Sequence, residues 1–215
     1  MKLYIGNTQT MDYDRLFASA SPERKKRAAQ LLRPEDRRLC IAAGALAQRA
    51  LEEAGCAPEL ARDANGKPYF PGNPALHISF SHSGERALCA LGEDPVGCDV
   101  ERMRPVAQSM YRRCLTADEY AALSALPSSE QAGRFIRLWV LKESYMKAVG
   151  LGLRIDPADI SLELQGGAAL RAPDIPCVFY EPEAEAEYRY ALCSLNPLMP
   201  PPALYYVGFS GADPW

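Results

Sequence analysis

Twice along this chain, sequence patterned for helices gives way to short runs patterned for strands, and few folds accommodate that order. An opening strand at residues 2–5 leads into helical sequence at 12–32. Arg33-Pro34 interrupts it, and a second helix is predicted from 35 to 54, stopped by Gly55. Asp63-Ala64-Asn65-Gly66-Lys67 signals a tight hairpin, because Asn-Gly accepts positive φ. Strands at 76–81, 87–91 and 96–102 follow, with Glu93-Asp94-Pro95 as the turn between the last two. The second pass places helices at 105–114, 117–126 and 129–149, ended by Gly150-Leu151-Gly152. Strands near 160–164, 177–180, 188–195 and 204–209 complete it, with a proline-rich connection at 196–202. Helices then strands, twice over, predict an α+β fold of two similar halves, residues 1–103 and 104–215. No residue-level repeat links the two.

With 215 residues, 48% hydrophobic and 24% charged, the chain can bury a core as one domain or as two closely packed halves. It has no run of about 18 apolar residues, so no membrane span is expected. Met-Lys-Leu-Tyr-Ile-Gly-Asn is too short an apolar start for a secretory signal. Cys40, Cys56, Cys89, Cys98, Cys114, Cys177 and Cys193 form no C-x-x-C pair, and the only histidines are His77 and His82. Free thiols in a reducing cytoplasm are expected, not disulfides or a zinc site. The net charge of −3 hides an asymmetry: residues 21–49 hold eight Lys/Arg against three acids, and 102–154 hold nine against four. Residues 50–101 and 155–215 carry −6 and −7. Basic segments beside acidic ones suit an anionic ligand in a local site and exclude a general nucleic-acid binder.

Three carboxylates carry the chemistry. Asp99 and Glu101 sit two apart in Val96-Gly97-Cys98-Asp99-Val100-Glu101, so on a strand they share a face and can grip one cation. Glu143 and Lys147 lie one helical turn apart in Trp139-Val140-Leu141-Lys142-Glu143-Ser144-Tyr145-Met146-Lys147. Hard carboxylate oxygens with a lysine beside them suit a magnesium ion holding phosphates, which points to phosphoryl-type transfer. Taken singly, each pair also fits an exposed sheet face or a helix-surface ion pair worth about 0.3–0.5 kcal/mol.

Four further features narrow the choice. A hairpin at Asn65-Gly66-Lys67-Pro68-Tyr69 holds Lys67 near fixed backbone, although an ordinary turn lysine reads the same way. In Ile78-Ser79-Phe80-Ser81-His82-Ser83-Gly84, alternation turns the serines to one face, where hydroxyls and an imidazole suit phosphate; His82 equally suits a loop or core position. Arg24-Lys25-Lys26-Arg27, with Arg33, Arg37 and Arg38 beyond, reads as a solvated face or as a ligand-facing cluster. On the helix at 135–149, Leu138, Leu141, Tyr145 and Ala148 make a core stripe, while Trp139, Glu143 and Lys147 line a second face.

These residues resemble the 4′-phosphopantetheinyl transferases of the large, monomeric, Sfp type. That family carries, in order, Gly-Lys-Pro, Ser-His-Ser, Gly-x-Asp-x-Glu and Trp-x-x-Lys-Glu-Ser/Ala-x-x-Lys elements. Here they read Gly66-Lys67-Pro68, Ser81-His82-Ser83, Gly97-Cys98-Asp99-Val100-Glu101 and Trp139 through Lys147, with Gly150-Leu151-Gly152-Leu153 trailing. The likeness spans residues 21–153. Cys98 stands where an aliphatic is usual and Val140 where a small residue is common; Arg38 aligns only with a one-residue gap after the basic run.

The resemblance implies a monomeric pseudo-dimer of two α+β halves with the active site, and coenzyme A, in the cleft between them. It implies transfer of phosphopantetheine to a serine of an apo acyl or peptidyl carrier protein, releasing adenosine 3′,5′-bisphosphate. By the same likeness, magnesium is held by Asp99, Glu101 and Glu143, and Lys147 adds positive charge where the transition state spreads its negative charge. Glu143, or a water it polarises, takes the serine proton. His82, Ser81 and Lys67 hold coenzyme phosphates, Arg38 with the Arg24–Arg27 run meets the 3′-phosphate, and Glu119 falls where some members place a further acid near the metal. An acidic carrier would suit the helix near 104–114, with Met110, Tyr111, Arg112 and Arg113, though packing on its own core fits that helix as well. Two rivals stand beside this reading. A magnesium-dependent nucleotide pyrophosphatase or nuclease would use the same carboxylates, but Lys67, Lys147 and the lack of an extended basic-aromatic surface favour coenzyme A over nucleic acid. The intact carboxylates argue against a catalytically silent carrier-binding module.

Overall fold

The computed structural model describes residues 1–55, 59–164, 169–170, 175–183 and 185–210; Cys56, one of the expected free thiols, lies outside them. The chain opens with β1 (Lys2–Asn7). The helical sequence expected at 12–32 forms two helices, α1 (Tyr13–Ser19) and α2 (Pro22–Gln30). Ser21 divides them: its backbone is extended, its hydroxyl accepts from the Arg24 N–H, and Pro22 starts α2 where a missing N–H is harmless. Then come α3 (Pro34–Glu53), β2 (Ala61–Arg62), β3 (Pro68–Tyr69), β4 (His77–Ser83), β5 (Arg86–Gly92) and β6 (Val96–Arg102). The expected hairpin joins β2 to β3, with Gly66 at φ +85° and the Asp63 carboxylate accepting from the Asn65 and Lys67 N–H groups.

The second pass contains α4 (Gln108–Cys114), α5 (Ala117–Ser124) and α6 (Ser128–Val149). It ends with β7 (Leu162–Glu163), β8 (Ala169–Leu170), β9 (Val178–Tyr180), β10 (Tyr188–Ser194) and β11 (Ala203–Val207). Gly150, at φ +88°, caps α6 as its position predicts. Among the described residues, no helix is long and apolar enough to cross a membrane.

The α+β class expected from the sequence holds, and the strands of the two passes interlock. One sheet runs β11-β1-β5-β4-β3-β2, with β11 parallel to β1; a second runs β6-β10-β9. Leu3, Ile5, Leu88 and Ala90 of the first sheet pack against Val96, Cys98, Val100, Tyr190 and Leu192 of the second. Outside the first sheet, α3 buries Ile41, Leu46 and Ala50 with Ile78, Cys89 and Leu91. Outside the second, α6 buries Leu138, Leu141 and Tyr145 with Ala191 and Cys193. The result is helix, sheet, sheet, helix, each long helix covering the outer face of one sheet.

Alternation on β6 follows from this stack. Val96, Cys98 and Val100 face the first sheet, which leaves Gly97, Asp99 and Glu101 toward α6. A Cβ on Gly97 would collide with the Ser144 carbonyl oxygen and the Ala148 nitrogen. That close approach brings Glu143 and Lys147 over Asp99. Gly97→Ala should therefore cost about 1–3 kcal/mol of stability, since backbone cannot yield as a side chain would. An unchanged denaturation midpoint would show that α6 does not rest on this strand.

Candidate active site

A cavity of about 400 Å³ opens between the two passes of the chain. Arg27, Arg62, Lys67 and His82 line it from one side, and Glu143, Lys147, Gly150 and Gly152 from the other. A larger cavity of about 810 Å³ lies beyond Arg27 and Arg62, against α1, α2 and α3, and none of the three motif carboxylates reaches it. Of the three, Glu143 lines the smaller one, together with Lys147, which bonds to Asp99.

Its floor is an ion cluster. Lys147 Nζ donates to Asp99 Oδ1 at 2.7 Å and sits 3.2 Å from Glu143 Oε1. The Ser81 hydroxyl donates to the same Oδ1 at 2.6 Å. Asp99 is only 2% exposed, and its Oδ2 is buried without a hydrogen-bond partner among the described residues. Burial pushes the Asp99 carboxyl up; Lys147 pulls it back and Glu143 adds to the rise. Burial alone would lower Lys147, but Asp99 and Glu143 more than offset it and hold the ammonium charged above its usual range. Glu101 accepts from the Ser83 hydroxyl at 3.0 Å, and Arg104 lies 3.6 Å away.

Among the described residues no three His, Cys, Asp or Glu side chains are gathered as a metal cage, and Lys147 pairs with both Asp99 and Glu143. The donors nevertheless fit a hard cation. Asp99 Oδ2 is a buried acceptor with nothing to accept, and Glu101 and Glu143 offer carboxylate oxygens from the adjoining strand position and helix.

The basic side chains divide. Lys67 crosses the cleft and donates to the Ala148 carbonyl at 2.5 Å, tying the hairpin to the last turn of α6; burial lowers its pKa. His82 is exposed within the cleft lining. Arg24 is not part of a solvated face: it passes over Gly44, where a Cβ would lie 2.9 Å from its Nε, and stacks 5.8 Å above the Phe80 ring. Arg38, expected at a phosphate, lies off the cleft. Its Nη2 donates to the Thr8 and Met11 carbonyls at 2.8 and 3.1 Å, anchoring the turn between β1 and α1. Arg62, which the sequence did not single out, lines the cleft that Arg38 does not reach. It braces the hairpin through the Gly66 carbonyl at 2.6 Å, forms no ion pair among the described residues, and feels Arg27 and Arg24 as like charges. Its register opposite Pro68 across the hairpin was the available signal.

Glu119 is also elsewhere. It lies on the far side of α6, where its Oε2 takes Lys142 Nζ at 2.5 Å and the Thr116 N–H at 3.0 Å, while Oε1 takes the Leu162 N–H at 2.9 Å. Lys142 spends its other donors on the carbonyls of Cys114 and Pro157, both at 2.9 Å. The pair is buried, Lys142 completely, and every polar atom of both side chains has a partner.

A buried carboxylate, a lysine across it and guanidinium groups lining the same cleft give the charge that phosphate oxygens would need. Comparison with known proteins agrees. The 4′-phosphopantetheinyl transferase superfamily model matches residues 95–193, the stretch holding Asp99, Glu101, Glu143 and Lys147. A Bacillus subtilis 4′-phosphopantetheinyl transferase is 31% identical over 192 residues, covering 86% of each chain. The Sfp transferase of Bacillus subtilis strain 168 is 28% identical over 195 residues, 87% of each. The psf-1 transferase of Bacillus pumilus is 34% identical over 139 residues, 63% of this chain and 60% of its own. The chain belongs to the 4′-phosphopantetheinyl transferase family.

Proposed function

We propose that this chain moves the 4′-phosphopantetheine group of coenzyme A onto a serine of an apo acyl or peptidyl carrier protein, in the cleft between residues 1–103 and 104–215. The observation that carries this is the pairing of two poles in one cavity: Glu143 and Lys147 at one end, with the buried Asp99 bonded to Lys147 beneath them, and Arg27 and Arg62 at the other. Coenzyme A has the matching charge pattern, a diphosphate bridge and a separate 3′-phosphate.

Asp99, Glu101 and Glu143 would hold magnesium, which supplies concentrated positive charge to the diphosphate when bound. Lys147 offsets charge on the oxygens that gain it as the bond to the leaving phosphate breaks. Lys67 and His82 border the phosphates, and Arg27 with Arg62 meets the 3′-phosphate through guanidinium hydrogen bonds. Glu143, partly exposed at the cleft, accepts the proton of the carrier serine as its oxygen attacks the phosphorus bearing pantetheine. The bond to the adenosine 5′-phosphate breaks, and adenosine 3′,5′-bisphosphate leaves. On α4, Tyr111 is buried while Met110, Arg112 and Arg113 are exposed, a mixed apolar and basic surface suited to an acidic carrier. The described cysteines are all free, which supports a reducing, cytoplasmic setting.

The deciding experiment incubates the protein with coenzyme A, magnesium and an apo carrier, then weighs the carrier. A gain of one phosphopantetheine supports the transferase. Coenzyme A hydrolysed with the carrier unchanged would make it a pyrophosphatase, and binding without product a silent module. The guanidinium assignment has its own check. Arg62→Ala should raise half-saturation for coenzyme A about 10–100-fold, as loss of a charge-assisted hydrogen bond implies. Arg38→Ala should lower stability without that rise; the reverse pattern would restore Arg38 to the phosphate.

A further inference from the structure

The serines of β4 do something that no phosphate role explains. Among the described residues β6 is the edge of its sheet, paired through its backbone with β10 alone. Its outward N–H groups are met by hydroxyls instead of another strand. Cys98 N–H donates to Ser79 Oγ at 3.1 Å, Val100 N–H to Ser81 Oγ at 3.3 Å, and Arg102 N–H to Ser83 Oγ at 3.1 Å. A hydroxyl that accepts still has one proton to donate. Ser81 donates it to Asp99 and Ser83 donates it to Glu101, at 2.6 and 3.0 Å. Ser81 and Ser83, two apart on β4, thus match Asp99 and Glu101, two apart on β6. Ser81 is 8% exposed, with its donor and an acceptor position committed.

We propose that Ser81 and Ser83 are positioning residues for the strand carboxylates, not ligands for coenzyme phosphate. Each hydroxyl is oriented by the backbone N–H it accepts, so its proton points at one carboxylate oxygen. Ser81 and Lys147 together occupy Asp99 Oδ1, which leaves Oδ2 as the oxygen available to a cation. Ser83 fixes Glu101 in the same way through Oε2. Outer groups that orient a metal's ligands are commonly worth about 10–100-fold in metal affinity. The inference rests on the magnesium reading above.

The test measures manganese binding to the full chain in the presence of coenzyme A, by the loss of the free-ion paramagnetic resonance signal. Coenzyme A affinity is measured separately without metal. Ser81→Ala should weaken manganese binding about 10–100-fold and leave metal-free coenzyme A affinity unchanged. Ser81→Thr, which keeps the hydroxyl, should recover most of the loss. Ser79→Ala removes an edge hydroxyl that touches no carboxylate, so it should lower stability and spare manganese affinity. If Ser81→Ala does not fold, Ser83→Ala asks the same question at Glu101. Unchanged manganese affinity in the alanine variants, or a loss of coenzyme A affinity in its place, overturns the proposal. An unmodified protein that binds no manganese overturns the metal reading itself, a result distinguishable from the other two.

Discussion

Asp99→Asn is expected to give a folded protein whose transfer rate falls by about 10²–10³-fold. Burial already opposes the Asp99 charge in the folded chain. Asparagine keeps the side-chain shape and can still accept from Ser81, while Lys147 retains Glu143 as a neighbour. The melting temperature should therefore stay at or above that of the unmodified protein, the sign expected when a group is kept for function at the expense of stability. Transfer at a near-normal rate would remove Asp99 from the reaction. A large drop in melting temperature would show the carboxylate to be chiefly structural.

The opposite balance is expected one helical face away. Lys142→Met should destabilise the fold by about 3–5 kcal/mol, read from the denaturant midpoint, because Glu119 keeps its charge in a buried place with no cation. The carbonyls of Cys114 and Pro157 lose their donor as well. Adding Glu119→Gln should recover more than half of that loss, since the neutral amide needs no counter-ion. If the single variant is as stable as the parent, the Lys142–Glu119 pair is not the buried anchor its geometry describes. Two lysines of α6 thus differ in setting: Lys147 stands at the cleft beside Glu143 and Asp99, and Lys142 is buried against Glu119 of α5.

Much of this was legible in the residues. Period-two alternation placed Asp99 and Glu101 on one strand face, and the helical repeat placed Glu143 and Lys147 on one stripe; the structure keeps both arrangements. Asn65-Gly66 marked the hairpin, and Gly150 marked the end of α6. The break at Ser21-Pro22 was equally local, but helical sequence on both sides of it read as one stretch. The partners of Arg38 and Glu119 were hidden for a different reason. A long side chain on a suitable helix can reach several partners, and which one it takes depends on loops folded against it. Arg38 found the carbonyls of Thr8 and Met11, and Glu119 found Lys142.

Gly97 shows the same boundary from the other side. Its motif position was plain in the sequence, but its purpose, letting a helix backbone rest on the strand, exists only once α6 is packed there. The sequence alone therefore determined the element types, their order and the faces on which the reactive side chains stand. Those properties follow from backbone geometry repeating every two or 3.6 residues. Only the tertiary structure decided which hydroxyls, guanidiniums and carboxylates spend themselves on the protein and which remain for a ligand. That choice is made by hydrogen-bond partners brought together from distant parts of the chain, and no local spacing encodes it.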